Sequence, residues 1–137
     1  MQAWDPEHPA VALAALHDVD TFAERELRDR HELAYPPFTR AALVRVEAVD
    51  ASAARSASAR LAQIALDAPA ARDGRVLVQG PAPAPIARLR NRWRFRVMLR
   101  AVDRRPLRAV LAVIEDARAQ LPRGVRCAID VDPVQLL

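Results

Sequence analysis

The feature that most constrains the fold is a succession of six periodic segments between residues 39 and 132. In residues 39–49, small and branched apolar side chains alternate with others, which is the two-residue period of a β-strand. Residues 103–120 instead repeat apolar side chains every three or four positions, as an amphipathic helix does. Applied along the chain, these periods predict strands at 39–49, 75–80, 86–101 and 125–132, and helices from Asp50 or Ser52 to Asp67 and from Asp103 to Gln120.

The order of these elements, β-α-β-β-α-β, is that of the split βαβ or ferredoxin-like fold. It predicts an α+β domain in which a four-stranded antiparallel sheet carries both helices on one face. GPAPAP at residues 80–85 is too rich in proline for regular structure and is expected to end the second strand. The apolar residues expected to face the sheet are Ala59, Leu61, Ile64, Ala65 and Leu66 in the first helix and Leu107, Val110, Leu111, Ile114 and Ala117 in the second.

Residues 1–35 differ from the rest because they are helical in pattern and acidic in charge. A short helix is expected from Pro9, and Asp20 is the predicted N-cap of the charged helix that follows. The two prolines of YPPF at residues 35–38 then forbid helical continuation. The chain is therefore expected to consist of a helical segment at 1–35 and a domain at 36–137.

Charge is unevenly distributed along the chain. Residues 1–50 carry 5 arginines against 10 acidic residues, a net of −5, whereas residues 72–108 carry 11 arginines against Asp73 and Asp103, a net of +9. All 21 basic residues are arginine, which suggests a GC-rich genome and lowers the weight of any single one. Basic charge concentrated in this way favours a polyanionic partner.

Alternation in the strand predicted at 86–101 separates its aromatic from its basic side chains. Trp93 and Phe95 fall on the side expected to lie under the helices. The other side, expected to be open, carries Arg92, Arg94, Arg96, Met98 and Arg100. Like charges at neighbouring positions of one face are destabilising, so the row favours a surface that holds a polyanion. The competing interpretation is a solvated strand whose arginines pair with Glu47 or Asp130.

Composition argues against several chemistries. A Walker phosphate loop requires lysine, which the sequence lacks, and three glycines do not build a dinucleotide-binding loop. Cys127 and the scattered His8, His17 and His31 form no zinc motif, and Cys127 is expected to be a small core side chain. With a single cysteine, no signal peptide and no run approaching about 20 apolar residues, the chain is expected to be cytoplasmic. It is not expected to be a self-sufficient enzyme.

Three stretches of the sequence together resemble one known family. They are FAERELRDRHELAYPPFTRAALVRV, VQGPAPAPIARLRNRWRFRVMLR and the closing IDVDPVQLL. In motifs and in order they are similar to the C-terminal region of PriA, the replication restart helicase family also called primosomal protein N′. The resemblance implies that residues 1–35 correspond to the end of the helicase lobe and its connector, and that residues 36–137 form a PriA-type C-terminal domain.

The resemblance also implies partners for a non-catalytic role in replication restart. These are forked or single-stranded/duplex junction DNA, the acidic C-terminal tail of single-stranded DNA-binding protein (SSB) and other primosome proteins, but no membrane. Forked DNA would be recognised through its backbone and shape, and the tail, which ends in phenylalanine, by guanidinium groups beside an apolar slot. The residues expected to bind DNA are Arg88, Arg90, Arg92, Arg94, Arg96 and Arg100, and those expected to bind the SSB tail are Arg104, Arg108 and Leu107.

Under this resemblance the chain is a fragment of a bacterial, nucleoid-associated ATP-dependent 3′–5′ DNA helicase. ATP and zinc are expected only in upstream domains, and no catalytic residue, metal ligand or cofactor is expected in this chain. Two other functions stay open. An RNA-binding module of ribosomal-protein type would share the fold and the basic face. An interdomain scaffold would use the same arginines to pair with acidic surfaces of neighbouring domains.

Overall fold

The computed structural model describes residues 11, 18–32, 35 and 37–133. Contacts divide the chain into two units, Met1–Phe38 and Thr39–Leu137. The first unit contains α1 (Val19–Glu32). The second contains β1 (Arg40–Ala48), α2 (Ala51–Asp67), α3 (Pro69–Arg72), β2 (Val76–Leu89), β3 (Arg92–Ala101), α4 (Arg104–Arg118) and β4 (Arg126–Val131). The helix predicted from Pro9 lies, apart from residue 11, outside the described residues.

The four strands form one antiparallel sheet in the order β2-β3-β1-β4. Val44 of β1 lies opposite Val97 of β3 on one side and opposite Ile129 of β4 on the other. Residues directly opposite each other project from the same face, so this register assigns each paired residue to a face. The predicted α+β fold with a four-stranded antiparallel sheet is confirmed.

Helices α2 and α4 pack on the same face of the sheet, which we call the covered face. Leu61 of α2 and Val110 and Ile114 of α4 lie in one hydrophobic cluster with Val44 and Leu99 of the sheet, and none of the five is more than 1% exposed. Many other positions of this cluster are alanine, so the helices lie close to the strands. The side chains that alternate with these along β1, β3 and β4 must project from the opposite face.

The two long helices meet the sheet partly as predicted. The apolar side predicted for α4 is confirmed, since Leu107 and Ile114 are buried with their helical neighbours. In α2, however, Ala59 and Leu66 are exposed, so their predicted place under the sheet is wrong. The residues that are buried repeat every three or four positions, as on one side of a helix, and Ala59 and Leu66 each follow a buried residue by one position. The buried residues are Ala54, Ala57, Ser58, Leu61, Ala62 and Ala65.

The second strand is longer than predicted. β2 continues through the GPAPAP stretch to Leu89, so the prediction that this stretch ends the strand is wrong. β2 lies at the edge of the sheet, where a proline without an N–H leaves no ladder partner unsatisfied on the outer side. Two register shifts, between Gln79 and Ala82 and between Pro83 and Arg88, absorb the irregularity as β-bulges.

A tight hairpin joins β2 to β3. Its turn residues, Arg90 and Asn91, both have positive φ, 50° and 60°, as a two-residue hairpin turn requires. β3 therefore begins at Arg92, and the single strand predicted at 86–101 is wrong at its start. Arg88 belongs to the preceding strand, so its side chain cannot be assigned to a face by the alternation of β3.

Helix starts also differ from the prediction. The Thr21 N–H donates to Asp18 Oδ1 at 3.1 Å, so Asp18 caps α1 and the prediction of Asp20 is wrong. Asp103 precedes α4, but its carboxylate accepts no capping hydrogen bond. The four-residue α3 was not predicted. Within the described residues, no helix is both long and apolar enough to cross a bilayer.

Candidate nucleic-acid interface

The face of the sheet opposite α2 and α4, which we call the arginine face, draws its charges from three strands. Arg96 of β3 lies directly opposite Arg45 of β1. Arg94 of β3 lies opposite Glu47 of β1, and Glu47 is also opposite Arg126 of β4. Cations from three neighbouring strands therefore share one surface with a single central carboxylate from β1.

This arginine face is not uniformly open. At one end Ala41 is fully buried, its neighbour Leu43 is 7% exposed, and the Nε atom of Arg100 is buried. Towards the other end, the side chains of Arg45 and Arg126 are 44% and 72% exposed. Arg100, one of the predicted DNA-binding residues, lies at the first of these ends, opposite the buried Ala41.

Arg92 is held by the protein itself. Its Nε lies 3.3 Å from Glu47 Oε1, and one of its terminal nitrogens donates to the carbonyl oxygen of Gly124 at 2.7 Å. The side chain is only 18% exposed. Arg92 thus ties β3 to β1 and to the loop before β4, which is the paired role that the competing interpretation expected.

Two carboxylates at the end of β4 pair with arginines of β1. Asp130 Oδ2 lies 3.8 Å from a terminal nitrogen of Arg45, and Asp132 Oδ2 lies 3.4 Å from one of Arg40. Asp132 also accepts the Ala41 N–H through Oδ1 at 3.3 Å. Both ion pairs are well exposed, so each contributes little stability and is able to rearrange when another anion approaches.

Arg94 lies at the centre of the accessible part. It borders three grooves of about 480, 600 and 610 Å³. Glu47, which faces it across the strands, forms ion pairs with Arg92 and Arg126 instead. Among the described residues no carboxylate forms an ion pair with Arg94, so its guanidinium is placed for an external anion.

The largest of these three grooves crosses the sheet next to Arg94. Its floor contains Arg45, Arg94 and Arg96. Residues 84–86 of β2 form one wall, and Asp130 and Asp132 line the opposite end. The groove therefore combines a cationic floor with one apolar wall and one acidic end.

The first two predicted DNA-binding arginines lie apart from this groove. Arg88 is opposite Trp93, so it projects from the covered side, and its guanidinium carbon lies 5.6 Å from the centroid of the Trp93 ring. It also donates a hydrogen bond to Asn91 Oδ1. Arg90 lies in the hairpin turn, next to the smallest of the three grooves. Of the six predicted residues, the structure brings Arg94 and Arg96 together in the largest groove.

Two cations of this surface were not among the predicted site residues. Arg45 lines two of the grooves and Arg126 lines two. The alternation of β1 already placed Arg45 on the outer side of that strand. Only the register, however, shows that Arg45 meets Arg96 and that Arg126 meets Glu47.

The residues predicted to bind the SSB tail divide between surface and core. Arg104 and Arg108 are exposed on the first two turns of α4. Leu107 is 2% exposed and belongs to the core, and its part in binding the tail stays a prediction. A small apolar pocket of about 240 Å³ lies on another side of the same helix, between Pro69 and Val113, with Arg105 among its lining residues.

Among the described residues, we find neither an activated nucleophile nor a metal-binding cluster. Burial raises the pKa of the Cys127 thiol, which packs against the core and is therefore a protonated thiol at neutral pH. No three His, Cys, Asp or Glu side chains within residues 18–32 and 37–133 are arranged to hold a metal ion.

Comparison with known proteins places the chain among replication proteins. Residues 31–134 match the family described as the primosomal protein N C-terminal domain. The replication restart protein PriA of Bacillus subtilis is 29% identical over 100% of this chain and 17% of its own length. PriA of Treponema pallidum is 33% identical over 100% of this chain and 20% of its own length. The probable PriA of Deinococcus radiodurans is 36% identical, over 97% and 14%.

The chain thus spans a fifth or less of the length of these relatives. A solved structure, a hydantoinase/carbamoylase family amidase from Burkholderia ambifaria, is 28% identical over 68% of this chain and 27% of that one, and its TM-score of 0.44 is too low to bear on fold or function. The family match, in contrast, includes every strand of the sheet and both long helices. The chain therefore belongs to the PriA family of replication restart proteins, and residues 31–134 form its C-terminal domain.

Proposed function

We propose that the arginine face of this PriA C-terminal domain binds the phosphate backbone of forked DNA. The observation that carries the proposal is the position of Arg94, which borders three grooves and forms no ion pair with a described carboxylate. Guanidinium groups bind phosphate through two parallel hydrogen bonds. The accessible end of the arginine face is therefore suited to hold a row of phosphates.

The pairing of Arg45 with Arg96 supports the same proposal. Like charges directly opposite each other on neighbouring strands destabilise a sheet. Arg45 is paired with Asp130 at 3.8 Å in an exposed ion pair that is able to rearrange. A phosphate between the two guanidinium groups would attract both of them. Backbone contacts carry no base sequence, which suits a ligand defined by its branched shape.

The proposal is tested by fluorescence anisotropy with a labelled replication fork over a series of salt concentrations. The test variant is Arg94→Ser with Arg96→Ser. The matched control is Arg55→Ser with Arg60→Ser, which removes the same charge from exposed positions of α2 on the covered side. We expect the test variant to bind about tenfold to a hundredfold more weakly, with a salt slope shallower by about 2 because two phosphate contacts are lost.

Equal binding by the test variant and the wild type would reject the proposal and favour an interdomain scaffold. An equal loss in the control variant would show that only net charge matters. Competition with a structured RNA in the same assay distinguishes the remaining alternative. If the RNA displaces the fork at lower concentration than unlabelled fork DNA, the domain is an RNA-binding module.

We further propose that α4 contributes to docking of the acidic SSB tail, as the resemblance implies. Arg104 and Arg108 are exposed four residues apart, so both guanidinium groups are on one side of the helix. An apolar pocket lies next to Arg105 on another side of the same helix, where a longer peptide could reach it. Calorimetric titration with an SSB-tail peptide should show weaker binding by the Arg104→Ser, Arg108→Ser double variant than by the wild type. The Arg55→Ser, Arg60→Ser double variant should bind the peptide as the wild type does.

Helicase activity, ATP binding and zinc binding are proposed for parts of the protein outside this chain.

A further inference from the structure

The wall of the largest groove is formed by a bulge in the edge strand β2. Pro83 lies opposite Phe95, and Arg88 lies opposite Trp93. Four residues of β2, 84–87, therefore stand against one residue of β3, which is Arg94. An insertion of this size takes the chain out of the ladder and lets its side chains project over the sheet. The bulge thus lies beside the arginine that borders all three grooves.

The bulge presents apolar surface to the cationic floor. Pro85 is exposed, and Ile86 is 58% exposed, although both line the groove that contains Arg94 and Arg96. Single exposed aliphatic residues are ordinary in proteins, and Leu77 of the same strand is 51% exposed without lining any of these grooves. Ile86 differs from Leu77 because it faces guanidinium groups across a groove.

We infer that this groove takes one strand of nucleic acid, with its phosphates on Arg94 and Arg96 and a base or sugar against Pro85 and Ile86. The inference rests on the proposed function, since it requires that the arginine face binds nucleic acid. It adds that the ligand at this site is single-stranded and that Ile86 determines this preference. Single strands are generally bound by a cationic groove beside aromatic side chains on which bases stack, and here the aliphatic Pro85 and Ile86 would take the place of the aromatic surface.

The opposite end of the groove supports a single strand and not a duplex. A duplex presents two rows of phosphates and would need cations along both. Here one side has Arg94 and Arg96, whereas at the other end Asp130 and Asp132 are paired with Arg45 and Arg40. The second phosphate row of a duplex would therefore meet two carboxylates and two arginines that these carboxylates already neutralise.

The spacing along β3 fits the same ligand. Arg94 and Arg96 are two residues apart on one face, which is about 6.6 Å in a β-strand. Neighbouring phosphates of one strand are separated by a similar distance. Two guanidinium groups can therefore hold consecutive phosphates while the base between them turns towards the wall of residues 84–86.

The test compares the affinity of a labelled oligothymidylate with that of a blunt duplex of the same length. The variants are Ile86→Ser, Ile86→Leu, the matched edge-strand control Leu77→Ser, and Arg94→Ser with Arg96→Ser, each with its fold verified by circular dichroism. We expect Ile86→Ser to bind the single strand about fivefold to tenfold more weakly, which is the loss of one base contact. Its duplex affinity should stay within about twofold, because a duplex offers no unstacked base to this wall. Ile86→Leu should restore single-strand binding, and Leu77→Ser should match the wild type with both ligands.

The outcomes separate the inference from the proposed function. If the double arginine variant binds both ligands as the wild type does, the proposed function is wrong and the inference falls with it. If that variant loses affinity but Ile86→Ser does not, the proposed function stands and the inference is wrong. An equal loss of single-strand and duplex affinity in Ile86→Ser also overturns the inference, because the wall would then not distinguish the two ligands.

Discussion

The covered face and the arginine face alternate along the same strands, but the fold constrains them differently. On the covered face, Val44, Val97 and Leu99 are at most 1% exposed and belong to one cluster with residues of the sheet and of the helices. On the arginine face, Arg45 and Arg96 oppose each other in a pairing that stability alone does not favour. We therefore expect the stability of the domain to depend mainly on the covered face and its binding of nucleic acid mainly on the arginine face.

The largest effect on the free energy of unfolding is expected at Leu99, and its neighbour Met98 on the other face provides the comparison. Leu99→Ala removes a fully buried side chain of the covered face and should lower the free energy of unfolding by about 3 kcal/mol. Met98→Ala, on the other face and half-buried, should lower it by about 1 kcal/mol. Urea denaturation followed by circular dichroism measures both. Equal losses would show that the buried end of the arginine face, near Leu43, acts as a second core.

The next effect concerns the bulged edge strand that borders both faces. A Cβ added at Gly80 would lie 2.8 Å from the carbonyl oxygen of Arg96, and its φ of +107° is strained for other residues. We expect Gly80→Ala to lower the free energy of unfolding by about 3 kcal/mol. Gly74→Ala is the matched control, since Gly74 also has positive φ but open space around it, and should lose only about 1 kcal/mol. Similar losses in the two variants would mean that the close approach to β3 relaxes easily.

Features of the sheet that depend only on neighbouring residues in the sequence could be predicted, whereas features that depend on strand pairing could not. Period-two alternation needs only consecutive residues, so it correctly put Arg94 and Arg96 on the face away from the helices. Arg88 lies beyond a bulge that changes the phase of β2 against β3, and no local pattern reports a bulge of four residues against one. The proline-rich stretch was interpreted without knowing that β2 is an edge strand, where prolines are tolerated.

The site shows the same limit. Arg92 and Arg94 are alike in the sequence, and only the register shows that Glu47 and the Gly124 carbonyl bind Arg92. Leu107 was predicted to lie in the core stripe of α4, and the resemblance also implied a part in binding the SSB tail. The structure buries Leu107 with Val110 and Ile114, because helical spacing puts the three on one side, and its part in binding the tail stays a prediction. The family resemblance, in contrast, depended on motifs and was confirmed.

A third prediction separates two arginines that alternation makes equivalent. Arg92→Ala should lower the free energy of unfolding by about 1 kcal/mol, because it removes a mostly buried ion pair with Glu47 and a hydrogen bond to Gly124. Arg94→Ala should leave the free energy of unfolding within about 0.5 kcal/mol of the wild-type value, because Arg94 forms no ion pair with a described carboxylate and lies outside the core. Thermal and urea unfolding at neutral pH give both values. If Arg94→Ala destabilises as much as Arg92→Ala, Arg94 is structural and the arginine face loses its main binding candidate.

The smallest effect lies away from both faces, at the start of α2. The Ser52 hydroxyl donates to Asp50 Oδ1 at 2.6 Å and the Ala53 N–H donates to the same oxygen at 2.7 Å, and these hydrogen bonds lower the pKa of the Asp50 carboxyl. A lowered folded-state pKa means that the ionised carboxylate stabilises the fold above the ordinary pKa of aspartate, about 3.9, and that this stabilisation is lost as pH falls through the lower folded value. Asp50→Ala should therefore unfold at a lower temperature than the wild type at pH 7, and the gap should narrow below about pH 4.

Asp50→Asn is the matched variant for this helix start, because an amide oxygen can cap the helix without titrating. Its difference from Asp50→Ala should stay nearly constant between pH 7 and pH 2, whereas the wild type should converge on Asp50→Ala in acid. A gap between wild type and Asp50→Ala that persists unchanged in acid would show that the ionised carboxylate contributes nothing to the cap. The acid dependence of unfolding would then have to come from other carboxylates, such as Asp67, whose pKa is also lowered, first by its hydrogen bond from Gln63.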